Sequence, residues 1–291
     1  MTAPVLARMA AFTTDPAGGN PAGVWVGDAL PDPAAMQRIA AEVGYSETAF
    51  VAPAAGAERV VRYYSPEAEV SFCGHATIAA GVVLGEAGGD GTYRLATAVG
   101  VVPVAVRRRG AHREASLTSV EPAYRPAEPA LVDAALAALG WARGDLDPAL
   151  PPARIYAGAW HLLLAAASPG RLAQLAYDFG ALRALMLAEG LTTLQLVRRA
   201  GDAPNGLANG PIEFESRNPF PVGGVVEDPA TGAAAAALGA YLRDAGLLAA
   251  PARLIVRQGA AMGRPSLLVV DVPAAGGVVV TGTAVPMPSA A

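Results

Sequence analysis

Two stretches of this chain have the composition of helices enclosed on every side, and they limit the possible folds more than any other feature. The later stretch, Glu227–Leu242, reads EDPATGAAAAALGAYL and carries no charge after Asp228 until Arg243. Alanine favours the helix, and a helix that is apolar all round is typical of a buried position. We therefore predict a central helix here, with neighbouring strands packed closely around its small side chains.

The beginning of this stretch predicts an anion-binding site. We expect Asp228 to cap the helix and Pro229 to take the first helical position, where its missing N–H costs nothing. The backbone amides of Thr231, Gly232 and Ala233 would then be free at the positive end of the helix. Amides in this position form a receptor for a carboxylate or a phosphate.

A similar arrangement occurs about half the chain length earlier. Glu69–Leu84 reads EVSFCGHATIAAGVVL. A strand-like piece runs into the small-residue turn Cys73–Thr77, and a helix of small and aliphatic residues follows. Two such helix starts in one chain predict a duplicated fold with a site shared between its halves.

In each half, the pattern predicts strands, then the enclosed helix, then further strands. We predict an α+β fold with two pseudo-symmetric halves, each a curved, mostly antiparallel sheet wrapped around a central helix. The alternative is an open layered α/β sheet. The wrapped arrangement is favoured because the predicted strands outnumber the helices and follow one another without crossovers.

The chain has 291 residues, which is enough for two modest domains. The segment 119–129 contains three prolines and no periodicity, so it is the predicted linker. We assign residues 1–118 to an N-terminal half, completed by a C-terminal strand at 276–285. Residues 130–275 form the predicted C-terminal half.

Charge and hydropathy exclude several classes of partner. The net charge is −4 and no basic stripe is present, which argues against nucleic acid. Apolar runs such as Trp160–Ala167 are far shorter than the roughly 20 residues of a membrane-spanning helix, so no membrane partner is expected. The N-terminus lacks the basic region, apolar run and cleavage site of a signal peptide. The cytoplasm is therefore the expected compartment.

The single cysteine, Cys73, excludes an intrachain disulfide and a cysteine metal cluster. The three histidines, at positions 75, 112 and 161, are spread along the chain. We therefore do not expect a zinc site. Cys73 itself is interpreted as a buried small hydrophobic residue.

Glu47 is the most interesting carboxylate. It lies between Tyr45-Ser46 and Thr48-Ala49-Phe50, at the start of a predicted apolar strand. A carboxylate at such a position is easily desolvated and then holds a proton more readily, which suits a group that takes a proton and returns it. The alternative is a solvent-facing strand residue or a hydrogen-bonded turn residue.

The other candidate residues also allow two interpretations. His75 could bind a substrate or move a proton, or it could be satisfied by backbone at the helix start. Asp228 could bind substrate, serve as a cap, or do both. Ser46 lies in a near miss to the nucleophile elbow of hydrolases, which lacks the last glycine and follows a helix pattern, so a serine hydrolase is not favoured.

Five motifs occur in order over nearly the whole chain. They are Gly19-Asn20-Pro21, Tyr45-Ser46-Glu47-Thr48-Ala49-Phe50, Phe72-Cys73-Gly74-His75-Ala76-Thr77, Glu227-Asp228-Pro229-Ala230-Thr231-Gly232 and Gln258-Gly259 followed by Gly263-Arg264. Together they resemble the PhzF family of phenazine biosynthesis, within the diaminopimelate epimerase-like superfamily.

The resemblance implies an enzyme, a homodimer and no cofactor, with the active site in the cleft between two similar halves. It implies that Glu47 is the catalytic acid/base and that His75 and Asp228 contact a small carboxylate-bearing substrate. Backbone amides around Gly232 and Ala233 would hold the substrate carboxylate. The remaining substrate-binding positions that it implies are Asn20, Ser46, Gly74 and Thr231.

Departures from the family pattern leave the substrate open. The family often has serine where this chain has Ala233, and an aromatic residue is common where Asn218 and Pro219 stand. The epimerases of the superfamily place a cysteine at each helix start, at the positions of Ala79 and Ala234 in this chain. The resemblance therefore excludes the two-thiol stereoinversion. A single carboxylate suits a proton shift on one face, as in an isomerisation. The alternatives are a catalytically silent small-molecule binding protein on this fold, or an isomerase or epimerase of an amino-acid-like metabolite.

Overall fold

The computed structural model describes residues 3–200 and 211–288. These residues form two compact units. Unit 1 comprises residues 3–118 and 281–288. Unit 2 comprises the described part of residues 119–280. Each unit contains one enclosed helix.

The first eight strands belong to unit 1. They are Val5–Ala11 (β1), Asn20–Val26 (β2), Glu47–Pro53 (β3), Glu58–Tyr64 (β4), Glu69–Val70 (β5), Gly91–Thr97 (β6), Gly100–Arg109 (β7) and His112–Thr118 (β8). Its helices are Pro33–Val43 (α1) and Gly74–Gly88 (α2).

The next eight strands belong to unit 2. They are Ala123–Pro126 (β9), Ala153–Tyr156 (β10), Trp160–Ala165 (β11), Thr193–Arg199 (β12), Ile212–Pro219 (β13), Glu227–Asp228 (β14), Ala252–Gln258 (β15) and Ser266–Val272 (β16). Its helices are Pro129–Leu139 (α3), Pro169–Ala173 (α4), Phe179–Ala188 (α5) and Gly232–Asp244 (α6). The last strand is Val279–Pro286 (β17), and short 3-10 turns lie at Arg143–Asp145, Pro221–Gly223 and Ala260–Met262.

The strands of unit 1 close into a ring around α2. From β1 to β4 the pairings are antiparallel, parallel and antiparallel, and β4 then pairs in parallel with β6. Antiparallel pairs join β6, β7 and β8. Strand β17 pairs with β8 and, antiparallel, with β1, which completes the ring.

Helix α2 lies inside this ring and contacts six of its strands. Residues 75–82 are buried without interruption, so more than two helical turns present no face to solvent. The all-round apolar sequence of this stretch predicts this burial. On the outer side, α1 packs Met36 and Ala40 against Trp25, Phe50 and Tyr64.

In unit 2 the strands from β10 to β16 pair in the same order as those from β1 to β7. The pairs are β10–β11 antiparallel, β11–β12 parallel, β12–β13 antiparallel, β13–β15 parallel and β15–β16 antiparallel. Helix α6 packs against β9, β10, β11 and β16, and residues 234–242 are buried in succession. A second apolar cluster is formed mainly by leucines of α3, α5, β11 and β12. In it, the two helices pack against β11 and β12.

Two expectations about connectivity are wrong. Parallel pairs do occur, two in each unit, and each is joined by a crossover that contains a helix, as parallel neighbours require. The predicted linker 119–129 contains strand β9, which pairs antiparallel with β10. Two of its three prolines, Pro122 and Pro126, stand beside and at the end of β9, where a missing N–H is tolerated, so they do not interrupt the strand.

No helix within 3–200 or 211–288 combines the length and the apolarity needed to cross a bilayer.

Both enclosed helices have a glycine where a strand comes close. A Cβ on Gly81 would lie 2.8 Å from Cγ1 of Val104 and 3.1 Å from Cβ of Ala115. A Cβ on Gly239 would lie 2.8 Å from Cγ2 of Val272. Valine is stiff at χ1, so these neighbours cannot simply turn away.

We therefore expect Gly81→Ala and Gly239→Ala each to destabilise the protein by about 1–2 kcal/mol. The overpacking cost of about 1–3 kcal/mol exceeds the helix-propensity gain of up to about 1 kcal/mol. The measurement is denaturant-induced unfolding. The matched control is Gly180→Ala in α5, where the new Cβ meets only Oδ1 of Asp178 at 3.5 Å and a gain of about 0.4–1 kcal/mol is expected. Equal effects in α2 and α5 would contradict tight enclosure.

The core of unit 2 contains a fully buried histidine. His161 Nδ1 lies 2.8 Å from Thr193 Oγ1, and Asn218 donates to the same oxygen at 3.2 Å. Burial lowers the pKa of His161 to about 3, from an ordinary value of 6.5. The unfolded chain therefore binds a proton at a pH where the folded chain does not.

This difference predicts a loss of stability in mild acid. The contribution of neutral His161 is complete above pH 6.5 and is lost as the pH falls from 6.5 towards 3. Between pH 7 and pH 5 the expected loss is about 2 kcal/mol, at about 1.4 kcal/mol per pKa unit. Thermal unfolding across this range should show a shallower pH dependence in His161→Gln, and an unchanged one in His112→Gln. An identical pH dependence in all three proteins would contradict this assignment.

Candidate active site

Four of the predicted site residues meet at one end of α2 in unit 1. Asn20 is the first residue of β2, and Glu47 is the first residue of β3, directly after Ser46. These two strands run parallel, with Ala22 opposite Glu47, so their starting residues lie at the same edge. His75 is the second residue of α2 and supplies the ring that the other side chains surround.

Both nitrogens of the His75 ring have polar neighbours. Asn20 Nδ2 lies 3.2 Å from Nδ1. Ser46 Oγ lies 3.4 Å from Nε2, and Glu47 Oε2 lies 3.3 Å from the same nitrogen. With the Asn20 amide in its assigned orientation, its N–H donates to Nδ1, so a neutral ring carries its proton on Nε2, facing Ser46 and Glu47.

Glu47 has the environment that proton transfer requires. Its side chain is 18% exposed, and the next five residues of β3 are all buried, whereas Pro53 at the strand end is exposed. Its Oε2 atom is buried and makes no hydrogen bond of good geometry with any described residue, although His75 is at ion-pair distance. An electron pair on this oxygen is therefore available to accept a proton within a largely desolvated site.

Cys73 and Gly74 lie at the N-terminal end of α2. Cys73 is the N-cap residue but makes no side-chain cap. Its carbonyl accepts from the amide and the hydroxyl of Thr77, at 3.0 and 2.6 Å, and Tyr63 holds that hydroxyl at 2.7 Å. Burial raises the pKa of Tyr63, so its hydroxyl stays protonated. A Cβ on Gly74 would meet no atom within 4 Å, so there is open space in front of the helix start.

The same cluster contains three kinds of metal ligand. The donor atoms of Glu47, Cys73 and His75 all lie within 4.8 Å of one another. Sequence spacing gave no reason to expect a zinc site, because the histidines are far apart in the chain. The fold instead combines one histidine with a carboxylate from β3 and a thiol two residues away.

In unit 2 the start of α6 differs from the prediction. The N-cap residue is Thr231, and the helix begins at Gly232, so Asp228 is not the cap. Thr231 makes no side-chain cap, because its hydroxyl donates to Oδ2 of Asp228 at 2.5 Å. The amide of Thr231 is not free either, since it donates to Oε1 of Gln258 at 3.2 Å. Gly232 and Ala233 occupy the first two helical positions, whose amides have no partner inside a helix.

Gln258 holds this turn and was given no role by the sequence. It is 2% exposed, and its Nε2 donates to the carbonyl of Asp228 at 2.7 Å and to Oγ1 of Thr231 at 3.0 Å. Gly259 follows with φ +78°, and a Cβ there would lie 2.7 Å from the carbonyl oxygen of Pro229. The Gln258-Gly259 motif was visible in the sequence, but only the fold shows what it contacts.

The adjacent acidic residues Glu227 and Asp228 have different environments. Glu227 is 4% exposed and forms a bidentate ion pair with Arg217, at 3.0 and 2.6 Å. Arg217 also donates to the carbonyl of Ala173 at 2.8 Å. Asp228 is half-buried and is oriented by Thr231. Glu227 thus anchors β14, while the carboxylate of Asp228 stays partly accessible.

Asn218 and Pro219, expected at a pocket wall, are both buried. Asn218 accepts from Ser216 at 2.8 Å and donates to Thr193. Its amide is therefore engaged in the core of unit 2.

Comparison with known proteins agrees with the motifs. The family described as phenazine biosynthesis-like protein matches residues 9–290. An uncharacterized isomerase of Deinococcus radiodurans is 33% identical over 281 residues, covering 93% of this chain and 88% of that protein. A trans-2,3-dihydro-3-hydroxyanthranilate isomerase of Pseudomonas fluorescens is 32% identical over 261 residues, covering 89% and 86%. The match to an uncharacterized isomerase of Bacillus subtilis is shorter, 41% identical over 103 residues, or 34% of this chain and 35% of that protein.

The fold is also similar to that of a solved structure. A Bacillus anthracis phenazine biosynthesis protein of the PhzF family superposes with a TM-score of 0.83 at 23% identity, covering 99% of this chain and 98% of that one. At this identity the likeness concerns the fold alone. The family match over nearly the whole chain and the two long relatives carry the assignment: the chain belongs to the PhzF family of phenazine biosynthesis-like proteins, whose named relatives are isomerases.

Proposed function

We propose that this protein is a cofactor-independent isomerase that moves a proton between two carbons of a small carboxylate-bearing substrate. A named precedent is the trans-2,3-dihydro-3-hydroxyanthranilate isomerase of Pseudomonas fluorescens. The observation that carries the proposal is the buried Oε2 of Glu47, which lies 3.3 Å from His75 Nε2 and has no hydrogen bond from a described residue.

In the proposed reaction Glu47 acts as both base and acid. Its carboxylate removes a proton from a carbon made acidic by a neighbouring unsaturated system, and the electron pair moves into that system. The resulting carboxylic acid returns the proton to another carbon on the same face. No atom is gained or lost, and the carboxylate is regenerated.

Substrate orientation is the proposed task of the surrounding polar groups. In unit 1, His75 would contact the substrate with the Nε2 edge of its ring, supported by Asn20 on Nδ1 and by Ser46. The open space before Gly74 admits a ligand close to the backbone. In unit 2, the half-buried Asp228 would bind a hydroxyl or amino group of the substrate.

The amides at the start of α6 are the proposed carboxylate receptor. Gly232 and Ala233 offer amides at the positive helix end. Thr231 contributes by orienting Asp228, because its own amide is held by Gln258. Preorganised donors of this kind stabilise developing negative charge and are often the largest catalytic contribution.

The remaining inferences from the family resemblance belong to this proposal. The two units, with their shared pairing order, would be pseudo-symmetric halves of a diaminopimelate epimerase-like fold, and the protein would be a cytoplasmic homodimer without nucleic acid or membrane partners. The net charge of −4 supports the absence of a nucleic-acid partner. The relatives' names support isomerase chemistry over a silent binding protein, and the experiment below separates the two.

We expect Glu47→Gln to reduce proton transfer by about 10²- to 10⁴-fold, because a lone acid/base contributes that much. The measurement is deuterium incorporation from solvent into trans-2,3-dihydro-3-hydroxyanthranilate, followed by mass spectrometry, together with isomer formation. Glu42→Gln, an exposed carboxylate of α1, is the matched control and should retain full activity. Near-normal turnover in Glu47→Gln would refute the assignment. Binding without any exchange in the wild type would identify a silent binding protein.

Asp228→Asn should lower kcat/KM by about 10- to 100-fold. A hydrogen bond to a charged group is worth about 1.5–3 kcal/mol, and each 1.4 kcal/mol is about tenfold. Asparagine can still accept from Thr231, so the turn should persist, and circular dichroism should be unchanged. Asp133→Asn removes an exposed carboxylate of α3 and is the control. A kcat/KM equal to that of the wild type would show that Asp228 does not bind substrate.

A further inference from the structure

The thiol of Cys73 is the one donor in the unit 1 cluster that the proposed proton transfer does not use. It is 7% exposed and lies 3.4 Å from Nδ1 and 3.8 Å from Nε2 of His75. The donor atoms of a thiol, an imidazole and a carboxylate therefore lie within 4.8 Å of one another, and Cys73 and His75 are both buried. These three donor types are also ones that can bind a metal ion.

Two of the three donor–donor distances are close to the edges of a tetrahedral zinc site, and the third is within 4.8 Å. Glu47 Oε2 and His75 Nε2 are 3.3 Å apart, and Cys73 Sγ is 3.8 Å from the same nitrogen. Bonds of about 2.0–2.3 Å from Zn²⁺ place tetrahedral nitrogen and oxygen ligands roughly 3.3 Å apart, and nitrogen and sulfur ligands roughly 3.6 Å apart. Local movements of side chains would bring all three donors onto one ion.

The donor types select the class of metal. Thiolate and imidazole favour zinc and similar borderline or soft cations, whereas Mg²⁺ and Ca²⁺ prefer oxygen ligands. Three protein ligands leave the fourth position for water or for a substrate oxygen, as in open zinc sites.

Two local movements are required for binding. The thiol lies beside both ring nitrogens, so Cys73 must turn about its Cα–Cβ bond towards Nε2 and lose its proton. A metal on Nε2 leaves the ring proton on Nδ1, so Asn20 must present its amide oxygen there in place of its nitrogen. An asparagine can do either, and a partner of this kind orients a metal-bound histidine.

We propose that Glu47, Cys73 and His75 bind Zn²⁺ or a similar divalent transition-metal cation, and that the bound metal blocks proton transfer. The ion occupies the electron pair with which Glu47 would accept the substrate proton. Metal binding stands on the donor geometry alone, whereas the inhibition rests on the proposed function.

The binding experiment uses Co²⁺ as an optical probe on the untagged protein and needs no substrate. We expect Co²⁺ to produce a thiolate-to-cobalt charge-transfer band that Zn²⁺ abolishes by displacement. Cys73→Ser should lack the band, and His75→Gln should weaken Co²⁺ affinity by at least about 100-fold, since even loss of an outer-shell partner costs about 10–100-fold. His112→Gln is the matched control and should bind as the wild type does.

The outcomes decide the proposal directly. Absence of the band at saturating Co²⁺, or wild-type affinity in a His75→Gln variant with an unchanged circular dichroism spectrum, would overturn the site. Glu47→Gln provides a second variant that retains the thiol and the imidazole, and it too should bind Co²⁺ more weakly. A Co²⁺ affinity equal to that of the wild type in both variants would leave a lone cysteine as the ligand and would refute the three-residue site.

Activity supplies an independent measurement. Zn²⁺ should inhibit isomer formation by the wild type. Cys73→Ser, compared with its own metal-free turnover, should require at least about tenfold more Zn²⁺ for the same fractional inhibition, because outer-shell losses alone cost this much. Metal binding without inhibition would refute the blocking role but would still support the proposed metal site. Failure of the isomerase assay itself would leave the cobalt result unaffected, so the two proposals fail separately.

Discussion

Enclosure of a helix by strands on every side is the constraint on which the rest of the structure depends. A helix can be surrounded in this way only where its side chains are small, and both α2 and α6 meet that condition with alanine and glycine. Gly81 and Gly239 mark the closest approaches, where a single added carbon would overlap a valine of a neighbouring strand. The small side chains of these helices are therefore what allows strands to approach them closely and the ring around α2 to close.

The position of the candidate catalytic groups follows from this enclosure. An enclosed helix has its backbone amides covered everywhere except at its end, so polar chemistry concentrates there. At the start of α2, His75 has one nitrogen next to Asn20 and the other next to Ser46 and Glu47, which fixes the ring from both sides. At the start of α6, Gln258 fixes the turn through three hydrogen bonds.

The sequence could predict features that depend on local composition and order. It predicted the two buried helices, the sheet-rich fold and the family, because small-residue helices and ordered motifs are visible in the chain itself. It could not place the cap of α6 at Thr231, because Gln258, 27 residues later, takes the amide. It could not foresee the convergence of Cys73 with Glu47, because their proximity depends on the packing of α2 against β3. Strand β9 was missed because its prolines lie beside and at the end of the strand and resemble those of a linker.

The closing strand β17 has a consequence for biosynthesis. It completes the ring of unit 1 beside β1, and the hydroxyl of Thr283 donates to the carbonyl of Thr13 across 270 positions of sequence. Contacts of such separation slow folding. During translation the first 118 residues leave the ribosome before β17 has been synthesised. Until then, β1 and β8 each have one unpaired edge. An unpaired strand edge is a template for aggregation. Unit 1 is synthesised first, yet its ring cannot close until β17 has been made.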